Sequence, residues 1–524
     1  MLFTPAIVAT ALVSPPGNLM AWLRQEGGFG VVKIATDSTT GLRGLVATEP
    51  KQIHQRLLSV PIGVCLSDYH SCSDGMGSVA PEWTSSLPSK VQLTMLVMAM
   101  RNQAAQPSDW NEYFTSSWPE TVAELPSNLD LATLKAAYDS TDPAKEIAAS
   151  VGMSLAWMQD QFTTAAGALR EAQEKEEKEE ERAQDWDALL SDFANFRNVL
   201  SLVASRCLRI SAGERGERLI LAPILDMANH ECTPSAYYYY NDDDASAPAL
   251  ELRAAQPIAA GDAVTICYGT MPNELFVQSY GFMPTSNPHD AVYVALPQLL
   301  DAAAAFDGGS DDGVALAALR DKSVSDRAAI AGLVGIAGLP VERLACHAAA
   351  PSEATILSLR GVLNSLAQEV AGGGDVADEA DLGMLAAMLE GSESSMDLWD
   401  DYDEEEDDYG YFMGAHDGDG AAIAADPLDE TMAECARIVA AACAHLVGIY
   451  DAREAERASH SASPETPADE LLCAFRRSQV QLLRSLTLSM EEVASEACAG
   501  RRVQEMADRR RTPPVFPYVG AIMQ

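Results

Sequence analysis

The chain has 524 residues, enough for two or more domains that each bury a core. Its 35 Lys and Arg face 77 Asp and Glu, a formal net charge of −42. That balance repels phosphate backbones, argues against nucleic acid as the main partner and makes a basic protein surface the easier one. The ten cysteines include no Cys-x-x-Cys pair, so neither a disulfide framework nor a Cys-rich zinc site is expected. No metal is required, and the cysteine usage fits a reducing intracellular compartment: cytoplasm, nucleus or plastid.

Taken in order, Leu2 to Val13 is mildly apolar, but it lacks a basic start and Pro15-Pro16 cut it short. No stretch reaches eighteen uninterrupted apolar residues, so no membrane span is expected. Asn18 to Leu23 starts a short helix that Gly27-Gly28 ends. Gly41-Leu42-Arg43-Gly44-Leu45-Val46-Ala47 is a glycine-rich turn leading into a strand, and Leu57 to Pro61 is the next strand. From Pro81 to Asp192 the pattern is helical, with Val91 to Met100 mostly apolar and Trp110, Tyr113 and Phe114 spaced for one helical face. Glu171 to Arg182 is a charge run with Glu171/Lys175 and Glu174/Lys178 pairs, which reads as a solvated face.

Val203 to Leu208 ends a helix, and Leu219 to Leu225 is short and apolar enough to be a buried strand. Asp226-Met227-Ala228-Asn229-His230-Glu231-Cys232-Thr233-Pro234 follows it. Pro257 to Asp262 is a turn, Val264 to Tyr268 a strand, and Ser279-Tyr280-Gly281-Phe282 a further segment. After Leu296 the composition is Ala-rich and helical. Between Asp397 and Asp408 nine of twelve residues are acidic, a self-repelling run expected to be disordered. Ala468 to Leu486 is predicted to be a helix with Phe475, Leu482 and Leu486 on one side and Arg476, Arg477 and Arg484 outside.

The Asn-His-x-Cys-x-Pro segment at 229–234 and the strand-end Tyr268, forty residues on, resemble the SET-domain methyltransferases, in particular the Rubisco large-subunit methyltransferase class. The resemblance implies an α+β fold: a SET domain with a pseudoknot over 18–295, a helical insertion at 81–192, and a helical substrate-binding-like domain over 296–490. That last domain would carry an acidic loop at 391–420, and 491–524 would be a tail. It also implies S-adenosyl-L-methionine as cofactor and a lysine of a protein substrate as methyl acceptor. A protein-histidine methyltransferase and a non-catalytic SET scaffold that binds a peptide are the alternatives.

Carried over by motif position, the hydroxyl of Tyr268 lies beside the transferring methyl and is the catalytic group. Asn229 and His230 grip the adenosine region, Asp226 supports their loop, and Arg206 meets the methionyl carboxylate, a task suited to its planar fork. Gly281 and Phe282 line the cofactor. Ser205, Leu208 and Tyr280 belong to the substrate side, Leu208 packing on a lysine stem and Tyr280 closing the channel. Gly44-Leu45-Val46-Ala47 matches the end of the family's Gly-x-Gly-Leu-x-Ala opening, which places Arg43 against the cofactor. Here the chain departs from the pattern: Leu42 replaces the first glycine, Gly41 stands where relatives often have Glu, and Arg43 replaces an apolar residue.

Overall fold

The structure is a computed structural model that describes residues 19–36, 41–67, 78–79, 82–102, 110–116, 118–119, 125, 127, 144–175, 190–211, 217–241, 248–295, 343–347, 430–460 and 466–498. The acidic run Asp397–Asp408, the 391–420 loop, the 491–524 tail beyond Cys498 and the charge run beyond Lys175 lie outside them.

Three small sheets carry the β part. In the first, β1 (Phe29–Gly30), β4 (Arg56–Pro61), β11 (Ala249–Ala254) and β10 (Ala236–Asn241) lie side by side in that order. The second has the order β2 (Val32–Thr36), β3 (Arg43–Ala47), β12 (Ala263–Ile266), β9 (Asn229–His230). The third is β6 (Ser78–Val79), β5 (Leu66–Ser67), β8 (Glu217–Leu221), β7 (Leu208–Ser211). A separate hairpin-like pair joins β13 (Ala291–Ala295) to β14 (Arg343–His347).

The second sheet organises the molecule, because it joins segments nearly two hundred residues apart. Val264 pairs antiparallel with Leu45, while Thr265 and Ile266 run parallel to Asn229 and His230. Strand β12 ends at Ile266, two residues short of the expected limit, so Tyr268 stands past the sheet rather than within it. Glu231 extends the contact by donating its N–H to the Ile266 carbonyl at 3.0 Å.

Helices pack around the sheets: α1 (Leu19–Gln25), α2 (Ser89–Asn102), α3 (Asn111–Ser116), α4 (Lys145–Lys175) and α5 (Phe193–Arg206). Helix α5 begins cleanly because the Asp192 carboxylate accepts from the N–H groups of Ala194 and Asn195 at 2.9 and 3.2 Å, satisfying donors that a helix start leaves open. Its Phe196, Val199, Leu200 and Val203 are buried against one main core shared with Leu45, Leu58, Leu225, Val264 and Ile266.

The short α6 (Asn273–Tyr280), which no local sequence signal marks, ends at Gly281. That residue adopts the left-handed conformation at φ 73° and donates its N–H to Val277. Beyond it, α7 (Glu430–His460) and α8 (Pro467–Cys498) pack together. The apolar stripe read in the sequence is present: Phe475, Leu482 and Leu486 are buried, while Arg477 and Arg484 are exposed and Arg476 is half-buried. Ala468, Leu472 and Phe475 form a second core with Val277 of α6 and Ile147, Ala148 and Val151 of α4. Each large apolar side chain so covered contributes about 1.5–3 kcal/mol, so α8 is seated on α6 by its own sequence pattern.

Candidate active site

The chain enters the site through a strained turn. Ile224, fully buried, has φ 72°, costly for a β-branched residue. The turn drives a single 3-10 turn, Leu225–Met227, into the core and carries Asp226 inward. The Asp226 side chain is inaccessible to solvent. Its Oδ2 accepts from Arg206 Nη1 at 2.9 Å and from the Tyr113 hydroxyl at 2.5 Å. Its Oδ1 is buried with no hydrogen-bond partner.

Arg206 ends α5, its guanidinium lies 5.7 Å from the Trp118 ring centroid, and Nη1 also reaches the Asp226 carbonyl at 3.4 Å. Arg43 joins this corner from β3: burial, and then the nearby charge of Arg206, hold its pKa below the ordinary arginine value. Two guanidiniums against one carboxylate leave one positive charge, which suits a further carboxylate. Tyr113 and Trp118 are contributions that sequence reading missed. Tyr113 stood out only as one of an aromatic stripe, and nothing marked Trp118.

Asn229 lies on β9 beside β12, and its Nδ2 donates to the Arg43 carbonyl at 3.1 Å. A Cβ at Gly44 would come within 2.5 Å of that Nδ2. Gly44, in strand β3, thus leaves the space that the Asn229 amide occupies, which ties the two motifs together.

His230 Nδ1 accepts the backbone N–H of Tyr268 at 3.0 Å. That bond places the ring proton on Nε2, which points to Cys232 Sγ at 3.6 Å. Burial lowers the His230 pKa to about 4, so the imidazole is neutral near pH 7. The Tyr268 hydroxyl donates to the Ala228 carbonyl at 2.8 Å, and burial raises its pKa to about 12. With its proton committed, this oxygen keeps its lone pairs for a further donor and does not act as a base at neutral pH.

Around these two side chains stand three more aromatic rings. Tyr280 lies 5.0 Å from Tyr268 between centroids, Phe276 lies 4.5 Å from His230, and Phe282 lies 5.9 Å from His230. The left-handed Gly281 lets α6 stop and Phe282 fold back onto the same cluster. Such a wall lowers local polarity and favours a cation through the ring quadrupoles.

The structure thus brings Arg43, Arg206, Asp226, Asn229, His230, Tyr268, Tyr280 and Phe282 to linked contacts, with Gly281 as the hinge of the last pair. Ser205 and Leu208 are placed differently. The Ser205 hydroxyl donates back into its own helix, to Leu202 at 3.0 Å. Leu208 is 8 % exposed, belongs to the main core and pairs with Ile220. Among the described residues no group of His, Cys, Asp and Glu is arranged to hold a metal, and no helix is long and apolar enough to cross a membrane.

A family model described as the SET domain matches residues 43–269, from Arg43 through Tyr268. That stretch of the chain is a SET domain. The SET domain-containing protein 4 of Mus musculus is 25 % identical over 289 residues, which is 54 % of this chain and 62 % of that protein. The match therefore spans less than two thirds of that relative's length. Among solved structures, the SET domain of LSMT bound to lysine and AdoHcy aligns with a TM-score of 0.53 at 14 % identity, covering 97 % of each chain. Rubisco LSMT bound to AdoMet aligns at 0.50 with 15 % identity, covering 95 % of this chain and 96 % of that one. At such identities the likeness is one of fold: a SET domain with a helical region after it.

Proposed function

We propose that this protein is an S-adenosyl-L-methionine-dependent protein-lysine N-methyltransferase, with its SET domain over 18–295, a helical insertion at 81–192 and a helical substrate-binding-like domain at 296–490. The observation that carries the reading is the Tyr268 hydroxyl, held at 2.8 Å by the Ala228 carbonyl in an aromatic channel beside neutral His230. The LSMT structures with lysine or methyllysine and AdoHcy share this fold.

The residues present fit the cofactor. The Arg43/Arg206 corner matches a carboxylate, and Asp226, wholly enclosed, holds Arg206 in place for it. Asn229 and His230 form the adenosine side, and the rings of Phe282 and Tyr268 suit a sulfonium. When bound, the cofactor supplies an electrophilic methyl group.

The protein's own task is to present a neutral amine in line with it. At pH 7 only about one free lysine in 2500 is neutral, a gap of roughly 4.6 kcal/mol. A narrow aromatic channel disfavours the charged amine by desolvation, and a neighbouring cation adds like-charge repulsion. Tyr268, its proton held by Ala228, accepts a hydrogen bond from the amine and orients its lone pair. Tyr280, stacked on Tyr268, closes the other side.

A protein-histidine methyltransferase is the alternative: its imidazole would need a hydrogen-bond partner for the ring nitrogen in the site, and a buried nitrogen left unpaired costs roughly 1–3 kcal/mol. The net charge of −42 favours a basic protein as substrate over nucleic acid.

Calorimetry with S-adenosylmethionine, followed by transfer of labelled methyl to proteins of a cell extract and hydrolysis of the product, tests the reading. Binding and label in methyllysine are expected. No binding at millimolar cofactor, or label only in methylhistidine, overturns it.

A further inference from the structure

Outside the residues assigned above, a buried polar network links the C-terminal helix to the channel. Asp290, 6 % exposed, lies between α6 and β13. Its Oδ1 accepts the backbone N–H groups of Asn273 and Ala291, each at 3.0 Å, and its Oδ2 accepts Asn273 Nδ2 at 2.8 Å. Helix α6 has no capping side chain of its own at Pro272, so this carboxylate, seventeen residues downstream, supplies the cap.

From the other direction, α8 brings the Ser478 hydroxyl near the same carboxylate, where it favours the charged form, and Gln479 donates to the Ala291 carbonyl at 3.5 Å. The network continues towards the reacting groups. Asn287 Nδ2 donates to Asn273 Oδ1 at 3.0 Å and to the Met271 carbonyl at 2.7 Å, and Cys232 Sγ reaches Asn287 Oδ1 at 3.9 Å. Cys232 in turn meets His230, which holds the backbone of Tyr268.

Taking the methyltransferase reading as its basis, we propose that Asp290 is a positioning residue that converts the seating of α8 into the placement of α6. Tyr280 and Phe282, at the far end of α6, then stand correctly against Tyr268 and His230. The apolar contacts of α8 with Val277 press α6 inward but leave it free to slide along its axis. The directional bonds of Asp290 fix that axial position at the helix start, seven residues before Tyr280. Burial raises the Asp290 pKa to about 6, so the full set of accepted bonds exists only above that pH. The groups that meet it are Asn273 from α6, the N–H of Ala291 and Ser478 from α8, while the Asn287 carbonyl accepts the Asp290 backbone N–H. Glu274 follows Asn273 along α6.

The test uses the full-length protein and the protein substrate identified by methyl labelling. Asp290→Asn keeps the shape but turns an acceptor into a donor against Asn273 Nδ2. Ser478→Ala removes the α8 hydroxyl near the carboxylate and leaves the apolar seat intact. Both variants should lose kcat, about ten-fold or more for Asp290→Asn and less for Ser478→Ala, while S-adenosylmethionine affinity stays within two-fold. The ratio of wild-type to Asp290→Asn kcat should fall as pH drops through about 6, since the wild type then loses what the variant already lacks. Should Asp290→Asn fail to fold, Ser478→Ala and its kcat against KM split decide alone. A kcat within two-fold of wild type in folded Ser478→Ala and Asp290→Asn, or a ratio flat with pH, would overturn the proposal. A wild-type chain that neither binds cofactor nor methylates would instead sink the enzyme reading beneath it.

Discussion

Tyr113→Phe isolates one hydroxyl in the most enclosed part of the site. Tyr113 is fully buried, and the oxygen is 2.5 Å from an Asp226 carboxylate that solvent does not reach. Phenylalanine fills nearly the same volume, so no cavity or overpacking term enters. What is lost is a hydrogen bond to a charged acceptor, worth about 1.5–3 kcal/mol net. Water cannot replace it without a rearrangement, because Asp226 Oδ1 already lacks a partner and Oδ2 would keep only Arg206 at 2.9 Å. Stability should fall by about 2 kcal/mol, a Tm decrease on the order of 5 °C. Arg206, anchored through Asp226, should then meet the cofactor less well, and S-adenosylmethionine should bind about ten-fold more weakly, roughly 1.4 kcal/mol. Thermal melts with and without cofactor, and calorimetry, read both effects. A Tm within 1 °C of wild type would show that the hydroxyl contributes nothing to the buried carboxylate and refute the reasoning.

Tyr268→Phe removes the hydroxyl that faces the amine and should lower kcat by at least ten-fold with cofactor affinity nearly unchanged; an unaltered kcat removes Tyr268 from the chemistry. Gly44→Ala puts a Cβ against Asn229 Nδ2, 2.5 Å away, so cofactor binding should weaken, while equal affinity would show that the Asn229 side chain moves aside at no cost. Gln278, 7 % exposed, has both amide atoms buried without a hydrogen-bond partner; Gln278→Met should raise Tm by a few degrees, and a fall would show that the amide is satisfied in solution. Burial depresses the folded-state pKa of His230 to about 4, below the ordinary 6.5, so the unfolded chain takes up its proton first. This contribution to stability is complete above about pH 7 and is lost as pH falls towards 4. His230→Asn, which keeps an acceptor for the Tyr268 N–H, should show a shallower Tm decrease from pH 7 to 5, and an identical slope would mean that His230 does not titrate as its burial requires.

The parts of the fold legible in the sequence were those whose signal is local. Leu57–Pro61 is apolar but for Ser59, and the strand is there, one residue longer at its start. The stripe of Phe475, Leu482 and Leu486 has helical spacing, and its burial follows from that spacing alone. Tyr268 was misjudged by two residues as strand, because the apolar alternation of Val264 and Ile266 gives no sign of where pairing with β3 and β9 stops. Helix α6 escaped notice since eight residues starting from Asn273 hold a single buried turn, and its cap comes from Asp290, outside any window that a local reading would search.

The same distinction separates the two halves of the site. Asn229, His230 and Tyr268 were visible through the resemblance of their short motifs, although the contacts they make join segments 38, 40 and 186 residues apart. Tyr113 and Trp118 approach Arg206 and Asp226 from the helical insertion, about ninety residues and more upstream, and their positions depend on how that insertion packs rather than on any spacing within it. The segment that holds Tyr113 and Trp118, part of the proposed helical insertion, supplies the hydroxyl that completes the Asp226 carboxylate and the ring that faces the Arg206 guanidinium. Substitutions in the 110–118 segment should therefore be felt in cofactor affinity before they are felt in the channel around Tyr268. The downstream network through Asp290 should act in the opposite sense, on turnover before affinity. The two long-range supports of one site are thus separable by which kinetic constant they move.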